Sequence, residues 1–208
     1  MAEVVEIERD GAAAARSALE RCLGEGGVAI YPADGLYGLA ADPLEPAAID
    51  RIHRLKGRDD GKPSAVLYFS PLAMRELVSG LGPRARDAVG ALLPGPVTLV
   101  LDNPQRRYPL ACREDPAKLG VRLLDGPLAG VMHPMFQTSA NISGEPAPSR
   151  FEDLPESIVA GSDLAIDGGT LSGFPSTVVD IASIDLDGTW RILREGGLPA
   201  ERVEEVLG

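Results

Sequence analysis

Short apolar runs of β character recur along this chain, with helical stretches between them but in no strict alternation. Residues 28–31, 64–69, 97–101 and 177–181 are the clearest, each rich in Val, Ile, Leu or aromatic side chains. Weaker strands are expected over 4–7, 120–123, 136–139, 164–166 and 190–194. The spacing of apolar residues predicts helices over 11–23, 46–55, 71–78, 83–92 and 199–207. Asp10 and Gly24 read as the N-cap and the stop of the first helix, and Ser70 as the start of the third. Pro94-Gly95-Pro96 is a turn entering the strand at 97. Irregular mixing of this kind predicts an α/β domain with an open, twisted, mixed sheet flanked by helices, rather than a doubly wound parallel sheet.

The 208 residues suit one domain, 1–208, large enough to bury a core. Aromatics are only 4% of the chain, so Val, Leu, Ile and Ala must fill that core. The net charge is −11, from acids and bases interspersed along the sequence. A protein that grips nucleic-acid backbone is usually basic, so stable, non-specific RNA binding is disfavoured. Cys22 and Cys112 are far apart and form neither a disulfide framework nor a zinc ligand set. There is no signal-peptide core, and no apolar run approaches the roughly twenty residues of a membrane span. A cytoplasmic location is expected.

Five constellations could carry chemistry. Lys56-Gly57-Arg58, followed by Lys62-Pro63, falls just past a predicted helix end. Its cations suit phosphates, Lys as a point charge and Arg as a bidentate fork. They equally suit a helix C-terminus, whose dipole favours positive charge. Thr138 to Gly144 turns from a strand into a small polar loop whose hydroxyls, amide and backbone N–H groups suit a polar ligand, or simply a turn bonded to itself. Pro175 to Asp180 opens a strand with small polar residues, and Arg194-Glu195-Gly196-Gly197 closes one. Arg122 sits inside an apolar strand, where it must find an anion or else lie at an edge facing solvent. His53 is expected to be exposed beside Arg51 and Arg54, and the two histidines offer no Ser–His–Asp arrangement. Neither GxGxxG nor GxxxxGK[ST] is present, so a nucleotide site would use neither standard glycine loop.

Taken in order, these segments resemble the YrdC-like family, the threonylcarbamoyl-AMP synthases. The resemblance runs from about Gly26 to Gly197. It covers Tyr31 to Leu39, Lys56 with Arg58, Pro94 to Thr98, Val121-Arg122, Ser139 with Asn141, Ser176 to Asp180 and Arg194 to Gly196. It implies an open sheet around a large concave cavity, and an enzyme that joins L-threonine, bicarbonate and ATP into threonylcarbamoyl-AMP with release of pyrophosphate. A partner transferase would then carry the group to tRNA. By motif position, Lys56 and Arg58 would meet the ATP phosphates, with Asn141, Ser149 and Arg194 beside the nucleotide. Ala33, Arg122, Ser139 and Ser176 would surround threonine, Arg122 on its carboxylate. Such an adenylation needs charge neutralisation and positioning more than a covalent nucleophile. Mg2+ would ride on the ATP phosphates, with no metal ligands from the protein.

The chain departs from the family pattern at four positions. Ala33 replaces a threonine, Asp59 and Leu124 replace prolines, and Tyr68 replaces a frequent histidine. These changes are expected to lie mainly on the amino-acid side of the pocket. They motivate two alternatives: a related carbamoyl- or acyl-adenylating enzyme with another substrate, or a relative that binds nucleotide or RNA without this activity. Lys56 and Arg58 are expected to face solvent in the empty cavity. The second C-terminal domain of some longer members is expected to be absent.

Overall fold

A computed structural model describes residues 2–57 and 63–208. Among them ten strands form one open mixed sheet. In chain order they are β1 (Glu3–Glu6), β2 (Ala29–Pro32), β3 (Tyr37–Ala41), β4 (Ala65–Tyr68), β5 (Val97–Asp102), β6 (Lys118–Leu123), β7 (Met135–Ser139), β8 (Leu164–Asp167), β9 (Thr177–Asp180) and β10 (Arg191–Arg194). The spatial order is β1-β8-β2-β3-β7-β4-β6-β5-β9-β10. β1 and β2 pair parallel to β8, β4 to β6 and β5 to β9, while the remaining neighbours are antiparallel. The mixed, open sheet expected from the sequence is therefore present. The helices are α1 (Ile7–Asp10), α2 (Ala12–Gly24), α3 (Pro46–Lys56), α4 (Pro71–Ser79), α5 (Pro83–Leu92), α6 (Pro109–Cys112), α7 (Glu156–Ala160) and α8 (Ala200–Leu207).

Alternation along the strands sorts their side chains onto two faces. Ile30, Leu39, Val66, Phe136, Leu99, Val121 and Val179 point to one face, where they meet apolar residues of α3, α4, α5, α7 and α8 in the larger core. Ala29, Tyr31, Ala40, Leu67 and Met135 point to the other, where α2 and Leu124, Leu128 and Val131 cover them. That second cover reaches only part of the sheet. On the same face, β4, β5, β6, β9 and β10 present small or polar residues instead, and a hollow lies there.

The register shows how the hollow is built. One row of paired residues crosses all ten strands: Glu3, Leu164, Ala29, Ala40, Gln137, Ala65, Gly120, Val100, Asp180, Arg191. It begins at the exposed Glu3, passes through packed core at Leu164, Ala29 and Ala40, narrows to small side chains at Ala65 and Gly120, and ends on charges.

Several local expectations are corrected. Asp10 does not cap α2; it ends α1, and its carboxylate accepts the N–H of Glu6 at 2.9 Å. Gly11, at φ 86°, begins α2 instead. Ser70 precedes α4 but makes no side-chain cap. His53 is buried at 3% exposure, edge-on to Phe136, rather than exposed. Among the described residues no helix is long and apolar enough to cross a membrane.

Candidate active site

A cavity of about 910 Å3 occupies the uncovered part of the sheet. Ala33, Lys56, Arg122, Ser139, Asn141, Ser176 and Arg194 all line it. The sequence spread these seven residues over 162 positions, from 33 to 194; the fold brings them to one hollow. Ser149 is not among the lining residues; its carbonyl accepts the N–H of Leu171. Arg58, Asp59 and Lys62 lie outside the described residues.

Lys56 ends α3, whose chain reverses at Gly57 with φ 57° and ψ 34°, a left-handed cap that glycine adopts without strain. Lys56 is buried at 3% exposure, so it does not face open solvent as expected. Its ammonium donates to the backbone carbonyl of Ser139, to the Asn141 carbonyl at 2.8 Å and to Asn141 Oδ1 at 3.2 Å. Ser139 Oγ donates to the same Oδ1 at 2.5 Å, and Asn141 Nδ2 donates to the carbonyls of Ile142 and Glu145. Lysine and asparagine thus knit the loop after β7 to the end of α3, leaving a cationic wall beside a polar turn.

Arg122 lies in mid-sheet on β6, 5% exposed, so it is not an edge residue. The anion it needs is Asp34, whose Oδ1 accepts from Nη2 at 2.7 Å. The pair is incomplete: Arg122 Nε and Asp34 Oδ2 are buried without a hydrogen-bond partner. Arg194, on β10, donates through Nη2 and Nε to the carbonyl of Ser176, at 2.7 and 3.2 Å. The Ser176 hydroxyl is 2.9 Å from that of Thr98. Burial, and then the positive charge of Arg122, push the Arg194 guanidinium below its usual value. Both guanidiniums line the one hollow, where their positive charge favours an anion over a cation.

At the far end of the floor, Asp180 Oδ2 accepts from Lys118 Nζ at 2.8 Å and from Arg191 Nη2 at 3.2 Å. Phe174, 65% exposed, stands at the cavity wall. A Cβ placed on Gly35 would fall 1.9 Å from the Phe174 carbonyl oxygen, so only glycine lets these two segments meet. Among the described residues no group of three or more His, Cys, Asp or Glu is gathered to hold a metal ion. Three carboxylates line the cavity: Asp34 and Asp180, both engaged by cations, and Asp115.

A family model described as Telomere recombination, that of the Sua5, YciO and YrdC proteins, matches residues 21–196. The chain belongs to this family. A curated relative from Pyrococcus abyssi, named threonylcarbamoyl-AMP synthase, is 31% identical over 195 residues, covering 88% of this chain and 54% of its own length. One of the same name from Thiobacillus denitrificans is 32% identical over 176 residues, covering 81% of this chain and 92% of its own. The crystal structure of P. abyssi Sua5 complexed with L-threonine superposes with a TM-score of 0.85 at 28% identity, over 99% of this chain and 61% of that one. The chain spans about half the length of the P. abyssi relative it matches.

Two of this family member's departures do not touch the cavity. Tyr68 points into the larger core, 2% exposed, with its hydroxyl donating to that of Tyr108 at 3.2 Å. Leu124 packs in the smaller core. Of the described departures, Ala33 alone lines the site. The sequence reading assigned no role to Asp34, Lys118, Gln137 or Arg191, all of which line it. Asp34 lay within the recognised Tyr31–Leu39 segment, but the motif acids also include Asp180 and Glu195, and the sequence does not choose among them. Lys118 and Arg191 have no local signal, because strand pairing alone brings them to Asp180.

Proposed function

We propose that this chain is an L-threonylcarbamoyladenylate synthase, a nucleotidyltransferase that forms threonylcarbamoyl-AMP and pyrophosphate from L-threonine, bicarbonate and ATP. The observation that carries the reading is that Arg122, Arg194 and Lys56, three cations from separate parts of the chain, line one cavity. The names of the relatives from P. abyssi and T. denitrificans, and the threonine held by the P. abyssi structure, support the same choice of substrate.

The chain's own groups divide the work. Arg122, already half-satisfied by Asp34, receives the amino-acid carboxylate through its remaining N–H. Ser139 and Ser176 offer hydroxyls on either side, and Ala33 leaves room where the family has a threonine. Lys56 and Arg58 neutralise the ATP phosphates, and Asn141 and Arg194 flank the nucleotide. Mg2+, if carried on the phosphates that Lys56 and Arg58 receive, would supply further neutralisation of the leaving pyrophosphate. The threonine amine adds to the bicarbonate carbon; the N–C bond forms as a C–O bond breaks, an amine proton and the departing hydroxide leave as water, and a water-poor hollow protects the carbamate from loss of CO2. The carbamate oxygen then attacks the α-phosphorus and pyrophosphate leaves, with the added charge spread over the surrounding cations. No covalent enzyme intermediate is needed. The product would pass to a transferase acting on tRNA in the cytoplasm.

The test is incubation with threonine, bicarbonate and α-labelled ATP. Threonine-dependent pyrophosphate and a labelled threonylcarbamoyl-AMP are expected. Turnover with carbamoyl phosphate but none with threonine would replace this reading with the related carbamoyl-adenylating one.

A further inference from the structure

Gln137 is an amide set in an apolar floor. Its strand neighbours in the row are Ala40 and Ala65, both too small to bond it. The fully buried Tyr31 donates its hydroxyl to Gln137 Oε1 at 3.1 Å. Burial raises the Tyr31 phenol well above its usual value, so it keeps its proton and the direction of this bond is fixed. Oε1 is thereby occupied, and Nε2 is left to the cavity that Gln137 lines, with no protein partner among the described residues. A polar amide is costly on an apolar floor unless both ends are bonded. The Arg122–Asp34 pair is close enough to act electrostatically on the Tyr31 phenol. Arg122 Nε is a buried donor without a partner, whereas Gln137 is half-buried at the cavity floor.

We propose that Gln137 is a specificity-determining residue: Tyr31 aims its Nε2 to donate, together with Arg122 Nε, to the carboxylate of the α-amino-acid substrate. The inference rests on the amino-acid-activating reading above and deepens it. It would also offset the hydroxyl missing at Ala33. Where the wall offers a methyl group instead of a hydroxyl, the floor supplies a donor of its own in the Gln137 amide. Neutral amide and guanidinium together hold a single negative oxygen pair without adding a charge to a hollow that already carries Lys56, Arg122 and Arg194.

The test is calorimetric binding of L-threonine and of L-threoninamide, which lacks the carboxylate, to the full chain. Gln137→Ala should weaken threonine about tenfold or more, as expected for a hydrogen bond to a charged group, and threoninamide little. Gln137→Glu keeps the size and the Tyr31 bond, so it guards against misfolding. It should lose more than the alanine variant, because its charge repels the ligand. Tyr31→Phe should fall between wild type and Gln137→Ala. Equal weakening of both ligands, or none, overturns the inference while leaving the proposed function intact. Wild-type protein that binds no amino acid overturns both.

Discussion

Lys56 Nζ lies 2.8 Å from the carbonyl oxygen of Asn141, and in return the Lys56 carbonyl accepts the N–H of Ser143 at 2.8 Å. The end of α3 and the loop after β7 therefore hold one another. A cation proposed to meet phosphates is also a structural tie, so its removal must be read in two ways. Lys56→Met keeps the apolar stem and deletes the donor. The stranded carbonyls should cost about 1–3 kcal/mol in chemical denaturation. ATP use at a temperature where the variant stays folded should fall tenfold or more, at about 1.4 kcal/mol per tenfold. Full activity of the folded variant would remove Lys56 from the phosphate site and leave it as the tie alone.

The Asp34–Arg122 pair gives a second expectation. Arg122 is almost wholly buried and Asp34 is its carboxylate partner in the described chain. Removing one member strands the other, at about 3–5 kcal/mol in a buried setting. Arg122→Ala and Asp34→Ala should each destabilise by about 3 kcal/mol, the lower end, because the Asp34 side chain keeps 23% of its exposure. The double variant should be destabilised by about 1 kcal/mol less than the sum, or better. Additive losses in urea denaturation would show that the two side chains do not support each other.

How much of this was legible follows from the kind of information each feature needs. The strands at 28–31, 64–69, 97–101 and 177–181 announced themselves, because buried β runs are apolar and β-branched whatever they pair with. β3 did not: Tyr37-Gly38-Leu39-Ala40-Ala41 carries a glycine and two alanines, and β2 and β7 hold it in the sheet through backbone bonds. The need of Arg122 for an anion was readable from its apolar strand. Asp34 as that anion, 88 residues away in sequence, was not. His53 looked exposed between two arginines because helix phase, rather than local composition, decides which face is buried. The tie made by Lys56 depends on where β7 ends relative to α3, which only the assembled sheet determines.

Gly196 holds the Arg194 side of the cavity by an approach too close for any side chain. A Cβ there would lie 2.3 Å from the Pro175 carbonyl oxygen and 2.6 Å from the Thr177 nitrogen. Both belong to the segment whose Ser176 carbonyl receives Arg194. Gly196→Ala must push β10 from β9 and lengthen that bond. Overpacking of this kind costs about 1–3 kcal/mol, and activity should fall with it. An alanine variant with unchanged thermal midpoint and unchanged turnover would mean the segment relaxes freely.

Asp180 makes the stability of the cavity's far end depend on acid. Burial by itself would raise its carboxyl, but the Lys118 ammonium, the Ala182 N–H and Arg191 more than offset that and hold it below the usual 3.8. A carboxyl lowered in the folded state stabilises the fold fully at pH values above 3.8, the unfolded value. That contribution is lost as the pH falls through the lower folded value. Asp180→Asn keeps the shape and removes the charge. At pH 7 the variant should be less stable by about 1 kcal/mol, a modest figure because Lys118 and Arg191 are themselves 35% and 68% exposed. The gap should hold from pH 7 to pH 5 and close below pH 3.8, as the wild-type carboxylate takes up its proton. Urea midpoints of the two proteins at pH 7, 5 and 3 check this, and a gap that ignores pH would show that the ion pairs do not stabilise the fold.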